Sequence, residues 1–164
     1  MTVRALVVSD THLREGRELP VALFPLLRVA DVVVHAGDIT AAGVLDRFGE
    51  FAPVHAVLGN NDAPYVGLLP ERASVDLDGV EVGMVHDSGP TAGRAARLGR
   101  WFPDASVVVF GHSHLPLLER DDGGPLLLNP GSPTQRRRAP THTVAWLHCA
   151  EGAIVASEIV DLGA

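Results

Sequence analysis

Apolar residues in this chain come in short, valine-rich runs, and nearly every run is closed by a polar or glycine-containing turn. Residues 3–8, 32–35 and 54–58 are runs of this kind, the pattern of strands buried on both faces. Between them, residues 19–29 and 41–51 carry apolar side chains at helical spacing. This strand–helix alternation predicts parallel pairing with right-handed crossovers. Beyond residue 73 the pattern changes. Residues 74–77 and 80–85 flank Asp78-Gly79, a two-residue hairpin signal, and residues 91–101, free of proline, predict a helix. The last third predicts strands at 107–110, 117–120, 125–129, 141–149 and 154–160, parted by turns at 121–124 and 150–152. Within 141–149 the alternation of Val144, Trp146 and His148 predicts one buried and one wet face. These elements predict an α/β fold, an α/β/β/α sandwich of two mixed β-sheets flanked by helices.

Composition narrows the class. The chain has 164 residues, 46% hydrophobic and 20% charged, which predicts a single globular domain over 1–164. The sequence enters a strand directly after Met1-Thr2, without the charged, apolar and cleavage regions of a secretory signal, and no apolar run approaches the ~20 residues of a membrane span. The expectation is a cytoplasmic location and no membrane partner. The single cysteine, Cys149, excludes an internal disulfide and reads as a small apolar strand residue. A net charge of −7, with Arg136-Arg137-Arg138 as the one basic cluster, argues against a nucleic-acid partner.

The chemistry lies where apolar runs end. Asp10 and His12, Asp38, Asn60, His86, and His112 and His114 each follow such a run. Side chains at strand ends project from the carboxyl edge of a sheet, where open α/β folds build ligand sites. Imidazole suits first-row transition metals and carboxylate suits harder cations, so the set predicts two divalent transition-metal ions. Manganese is the first expectation, with iron, nickel or zinc as alternatives. Asp38, midway in the order, is the natural bridging carboxylate. Two metals about 3.5–4 Å apart can hold a hydroxide between them and clamp the attacking and leaving oxygens of a phosphoryl transfer.

The ordered run Asp10-x-His12, Gly37-Asp38, Gly59-Asn60, His86, Gly111-His112-Ser113-His114 and Asn129-Pro130-Gly131-Ser132 resembles the calcineurin-like metallophosphoesterases. Within them it is most similar to the small, single-domain bacterial and archaeal phosphodiesterases of the YfcE type. The resemblance implies that Asp10, His12, Asp38 and His114 hold one metal and that Asp38, Asn60, His86 and His112 hold the other. It also implies the strand order of the sandwich and catalytic roles for Asp38 and Asn60. Many relatives carry a histidine after Gly-Asn, which protonates the leaving group. Asn61 stands there in this chain and is read as substrate-binding. His86 is followed by Asp87-Ser88-Gly89 where relatives often have glycine, which reshapes the rim and leaves the ligand in place.

Several residues take supporting roles in this reading. Arg136 is the candidate to reach a substrate phosphate, because a guanidinium matches phosphate bidentately. Asn129-Pro130-Gly131-Ser132 reads as a tight turn behind the ligands. Asp62, Asp87 or backbone carbonyls are candidates to accept the second ring N–H of a ligating histidine. His35, His55, His142 and His148, inside strands, read as structural. Trp101-Phe102 reads as either core or interface, and a homo-oligomer stays open. The expected function is metal-dependent hydrolysis of a small phosphoester, most readily a diester, by a metal-bridging hydroxide. The alternative is a non-catalytic protein-binding scaffold of the same fold, as the retromer scaffold subunit resembles these enzymes.

Overall fold

The valine-rich runs form the strands of two sheets in a computed structural model that describes Met1–Ala164. The first sheet contains β1 (Val3–Val8), β2 (Val32–His35), β3 (Val54–Ala56), β9 (His142–Ala150) and β10 (Ala153–Gly163), in the order β10-β9-β1-β2-β3. The second contains β4 (Arg72–Leu77), β5 (Val80–Val85), β6 (Val107–Val109), β7 (Leu117–Arg120) and β8 (Leu126–Asn129), in the order β4-β5-β6-β8-β7. In the first sheet β1, β2 and β3 run parallel. In the second β5, β6 and β8 do. Antiparallel strands complete both sheets, so each is mixed.

Strand alternation divides the apolar side chains among three layers. Ala5, Val7, Val34, Leu147, Val82, Met84, Val109 and Leu128 belong to a cluster of 17 buried residues between the sheets. Leu6, Val8 and Val33 face the other way, packing with Leu23, Leu27, Val44 and Phe48 from the helical segments. On the far face of the second sheet, Val85, Val108 and Leu127 pack against Leu98 and Phe102. Burial of each such Val, Leu or Phe contributes about 1.5–3 kcal/mol, so the inter-sheet layer and the helical layer on the first sheet, with 17 and 15 buried residues, contribute most of the core's stabilisation. The result is the expected α/β/β/α sandwich.

The helices are shorter than their apolar spacing predicts. Residues 19–29 yield a single 3₁₀ turn, Val21–Leu23, and α1 (Phe24–Leu27), because Pro20 and Pro25 confine the helix that their fixed φ and missing N–H allow. In 41–51 and 91–101, Gly43 (φ 81°) and Gly93 (φ 71°) are left-handed, and the helices start after them as α2 (Val44–Gly49) and α3 (Arg94–Trp101). The prediction of a wet face on β9 is also corrected. Thr143, Val144, Ala145, Trp146, Leu147 and Cys149 are all buried, since β9 lies between β10 and β1 with a layer packed on each side. Phe102 is core, and Trp101 packs partly buried beside it.

The hairpin signal at Asp78-Gly79 is realised, with both residues at positive φ (52° and 85°), as a two-residue primed turn requires. The β9–β10 turn at Glu151-Gly152 has the same geometry and docks on the first. Glu151 N–H donates to Asp78 Oδ2 at 2.8 Å, and Gly152 N–H to the Asp78 carbonyl at 2.7 Å. No helix is long and apolar enough to cross a membrane.

Candidate metal centre

Two parallel strand groups end at one edge of the sandwich, and the polar residues that follow them converge there. Asp10 and His12 leave β1, Asp38 leaves β2, and Asn60 follows β3. His86 leaves β5, and His112 and His114 follow β6. To turn sharply off the sheet, Asp10, His12, Asp38, Thr40, His112 and His114 all take positive φ, between 42° and 85°. Such backbone costs about 1–2 kcal/mol per residue, so specific bonds must hold it.

Asp62 supplies the most concentrated of these. It is 1% exposed, and its carboxylate accepts three backbone N–H groups: Gly59 at 2.7 Å, Thr40 at 2.8 Å and Asp38 at 2.9 Å. This carboxylate therefore ties the loop after β2 to the loop after β3. Its expected role as acceptor of a histidine N–H is corrected. Asp87 likewise accepts from its own loop, from Gly89 N–H. The Asn129-Pro130-Gly131-Ser132 turn braces the other side. Ser132 Oγ donates to the Asp10 carbonyl at 2.8 Å, and Asn129 Nδ2 donates to the Gly111 carbonyl at 3.1 Å. Thr134, not singled out in the sequence, adds a 2.6 Å bond to the Thr11 carbonyl.

The ring nitrogens are ordered by backbone carbonyls. His86 Nδ1 bonds the Ala36 carbonyl at 2.7 Å, and His114 Nδ1 bonds the Gln135 carbonyl. With Nδ1 donating, each Nε2 carries a lone pair that points inward. Asp10 Oδ1 lies 3.4 Å from His114 Nε2, 3.7 Å from His12 Nε2 and 3.9 Å from His86 Nε2. Asp38 Oδ2 lies 3.3 Å from His12 Nε2 and 3.4 Å from His86 Nε2. Donor atoms thus form two clusters, Asp10–His12–His114 and Asp10–Asp38–His86.

A cation fits this arrangement. Asp10 Oδ1 and His86 Nε2 are buried with no hydrogen-bond partner, and both are electron-pair donors aimed at the same space. Burial alone would raise the Asp10 carboxyl, but the adjacent imidazoles of His114, His12 and His86 and the hydrogen bond from Ser9 hold it well below the usual carboxylate range. Asp38 behaves the same way: His86 and Asn61 overcome burial and keep it ionised. For His86, burial would lower the imidazole pKa, yet Asp38 and Asp10 raise it, which marks a strongly negative potential. Such a site attracts divalent cations.

The remaining candidates lie further out. Asn60 and His112 are exposed and line a 440 Å³ cleft with Leu58, Gly59, Glu71, Arg72, Val85, His86 and Asp87. The His112 ring stands edge-on to His86 with centroids 5.3 Å apart. Asn61, although exposed, turns back onto Asp38. Its backbone N–H donates to Asp38 Oδ1 and its Nδ2 to Asp38 Oδ2, each at 2.9 Å. Arg136 turns onto its own loop, donating to the Ala139 carbonyl at 3.1 Å, and does not line the cleft. The arginine that does is Arg72.

Comparison with known proteins fits this geometry. The calcineurin-like phosphoesterase superfamily domain matches residues 3–152. The chain belongs to the calcineurin-like phosphoesterase family. Among its relatives, a "probable metallophosphoesterase" of Methanothermobacter thermautotrophicus is 35% identical over 135 residues, 80% of this chain and 77% of that one. Two solved structures share the phosphoesterase fold. A predicted phosphoesterase from Streptococcus pneumoniae has a TM-score of 0.76 at 23% identity, covering 99% of this chain and 91% of that one. Wild-type Vps29 from Entamoeba histolytica, complexed with zinc, has a TM-score of 0.72 at 21% identity, covering 98% and 99%.

Proposed function

We propose that this phosphoesterase is a dinuclear, metal-dependent phosphodiesterase acting on a small phosphoester as a single domain over residues 1–164. One observation carries the reading: two donor clusters share Asp10, and their buried Asp10 Oδ1 and His86 Nε2 have no protein partner. Asp10, His12, Asp38 and His114 would hold one ion, and Asp38, Asn60, His86 and His112 the other. Asp38 is the proposed bridge, its Oδ2 facing both His12 and His86. When bound, the pair supplies Lewis acidity that polarises the phosphoester and lowers the pKa of water. Manganese is the first choice of metal.

The protein's own part is to position. The carbonyls of Ala36 and Gln135 fix two imidazoles, Asp62 fixes the strand-end loops, and Asn61 fixes Asp38 through two hydrogen bonds. Asn60, in the cleft beside His86 and His112, can donate its carboxamide N–H to a phosphoryl oxygen as charge builds there. No histidine stands at position 61 to protonate the leaving group, so esters with acidic leaving groups are the better substrates.

The test is hydrolysis of bis-p-nitrophenyl phosphate by metal-stripped protein with manganese restored, beside Asp38→Ala, together with the bound-metal stoichiometry. Two ions per chain and metal-dependent turnover that vanishes in the variant are expected. A folded, metal-loaded wild type that is inert would move the reading to the protein-binding module. That alternative draws on Val66 and Leu68, which are 68% and 75% exposed.

A further inference from the structure

The 440 Å³ cleft extends past His86 and His112 to Glu71 and Arg72. Arg72 opens β4, the edge strand of the second sheet, and pairs with Val85, the residue before His86. Its guanidinium carbon lies 3.6 Å from the centroid of the Trp101 ring, well inside cation–π range. Trp101 ends α3 and is packed against the outer core of that sheet. A long, flexible side chain is thereby held against a packed aromatic ring. No carboxylate lies within ion-pairing distance of it, although Glu71 and Asp87 line the same cleft. Its forked N–H groups have no hydrogen-bond or carboxylate partner in the protein, the ring of Trp101 being the one group set against them.

We infer that Arg72, held on Trp101, is a specificity-determining residue that binds a second anionic group carried by the substituent of the phosphoester. The inference rests on the phosphodiesterase reading. His86 belongs to both the Asp10–Asp38 cluster and the cleft, so a diester held at that end can place one substituent along the cleft, whose 440 Å³ is in the range of small-molecule sites, about 300–1,000 Å³. Arg72 is the one arginine there, and its planar fork matches phosphate or carboxylate bidentately. Because Glu71 and Asp87 offset any general attraction for anions, the preference should depend on placement. The substrate class is a phosphodiester with a terminal phosphate or carboxylate on one arm.

Two esters test this on manganese-loaded, full-length protein: p-nitrophenyl 3-phosphopropyl phosphate and p-nitrophenyl butyl phosphate. They share the scissile bond and leaving group and differ in the terminal anion. Wild type should prefer the first. Arg72→Ala should lose about tenfold to hundredfold in kcat/KM on it, as expected for a charge-assisted bond, with less than about threefold change on the second. Arg72→Lys, which keeps charge without the fork, should fall between. Equal losses on both esters, or none, would overturn the inference and leave the phosphodiesterase reading standing. A wild type inert toward both would sink the two together.

A second readout needs no turnover. Pyrophosphate titrated into metal-free protein carrying Trp146→Phe, which leaves Trp101 as the one tryptophan, should change its fluorescence saturably, and the response should disappear when Arg72→Ala is added. An unchanged response in the variant would also overturn the proposal.

Discussion

Replacing Asp62 tests whether one buried carboxylate holds the loops of the candidate metal centre. Asp62→Ala leaves three N–H groups, on Asp38, Thr40 and Gly59, without their acceptor. Hydrogen bonds to a charged group contribute about 1.5–3 kcal/mol each, but Thr40 is half-buried and water can reach it. The expected loss is therefore about 3–6 kcal/mol, a large share of the roughly 5–15 kcal/mol that stabilises a domain. Asp62→Asn has the same shape. Its amide oxygen can take the place of Oδ2, which accepts from both Asp38 and Gly59, while its NH₂ faces the Thr40 N–H. One bond of three is lost, and about 1–3 kcal/mol is expected. Urea unfolding of the three proteins in chelator gives the ranking directly, and manganese titration should show weaker binding in the same order. If Asp62→Asn costs as much as Asp62→Ala, or if both lie within about 0.5 kcal/mol of wild type, the carboxylate is not the brace described here.

His35 predicts acid sensitivity. Burial pushes its pKa from 6.5 down to about 3, and its Nδ1 accepts from Gly37 N–H, which a proton would displace. The unfolded chain gains the proton first, so this contribution is complete above about pH 6.5 and is lost as pH falls toward 3, amounting to about 2 kcal/mol by pH 5. In chelator, the drop in unfolding free energy between pH 7 and 5 should shrink by that amount in His35→Gln; an unchanged drop would refute the assignment. Gly111→Ala places a Cβ against Ser9 Oγ and Asp10 Oδ2, so metal affinity and stability should both fall, whereas Gly99→Ala, with open space around it, should be neutral or mildly stabilising in the same assays. Asn61→His should raise turnover most for esters with poor leaving groups. A flat response across leaving-group pKa would show that position 61 does not govern protonation.

Much of this protein is readable in one dimension. Short valine runs determine strands because a residue buried on both faces must be apolar at every position, and Asp78-Gly79 determines a primed turn because both positions need positive φ. The candidate ligand types and their order after the strands are equally visible, since a sheet edge presents whatever follows a strand. The sequence misleads where its period is compatible with two outcomes. Residues 19–29 and 41–51 have helical spacing, but Pro25 and Gly43 fix the backbone more strongly than amphipathicity can. Trp146 and His148 suggest an exposed face that the neighbouring strand and helical layer cover. Arg136 is the arginine the sequence points to, and the position of Arg72 in the cleft cannot be read along the chain at all, because Arg72 meets Trp101, 29 positions away by their numbering, only when β4 and α3 pack on the same sheet. Asp62 is the same case: its three partners come from two loops brought together by parallel pairing of β2 with β3. Residue type determines which chemistry is available, while the pairing of strands decides which groups are close enough to share it.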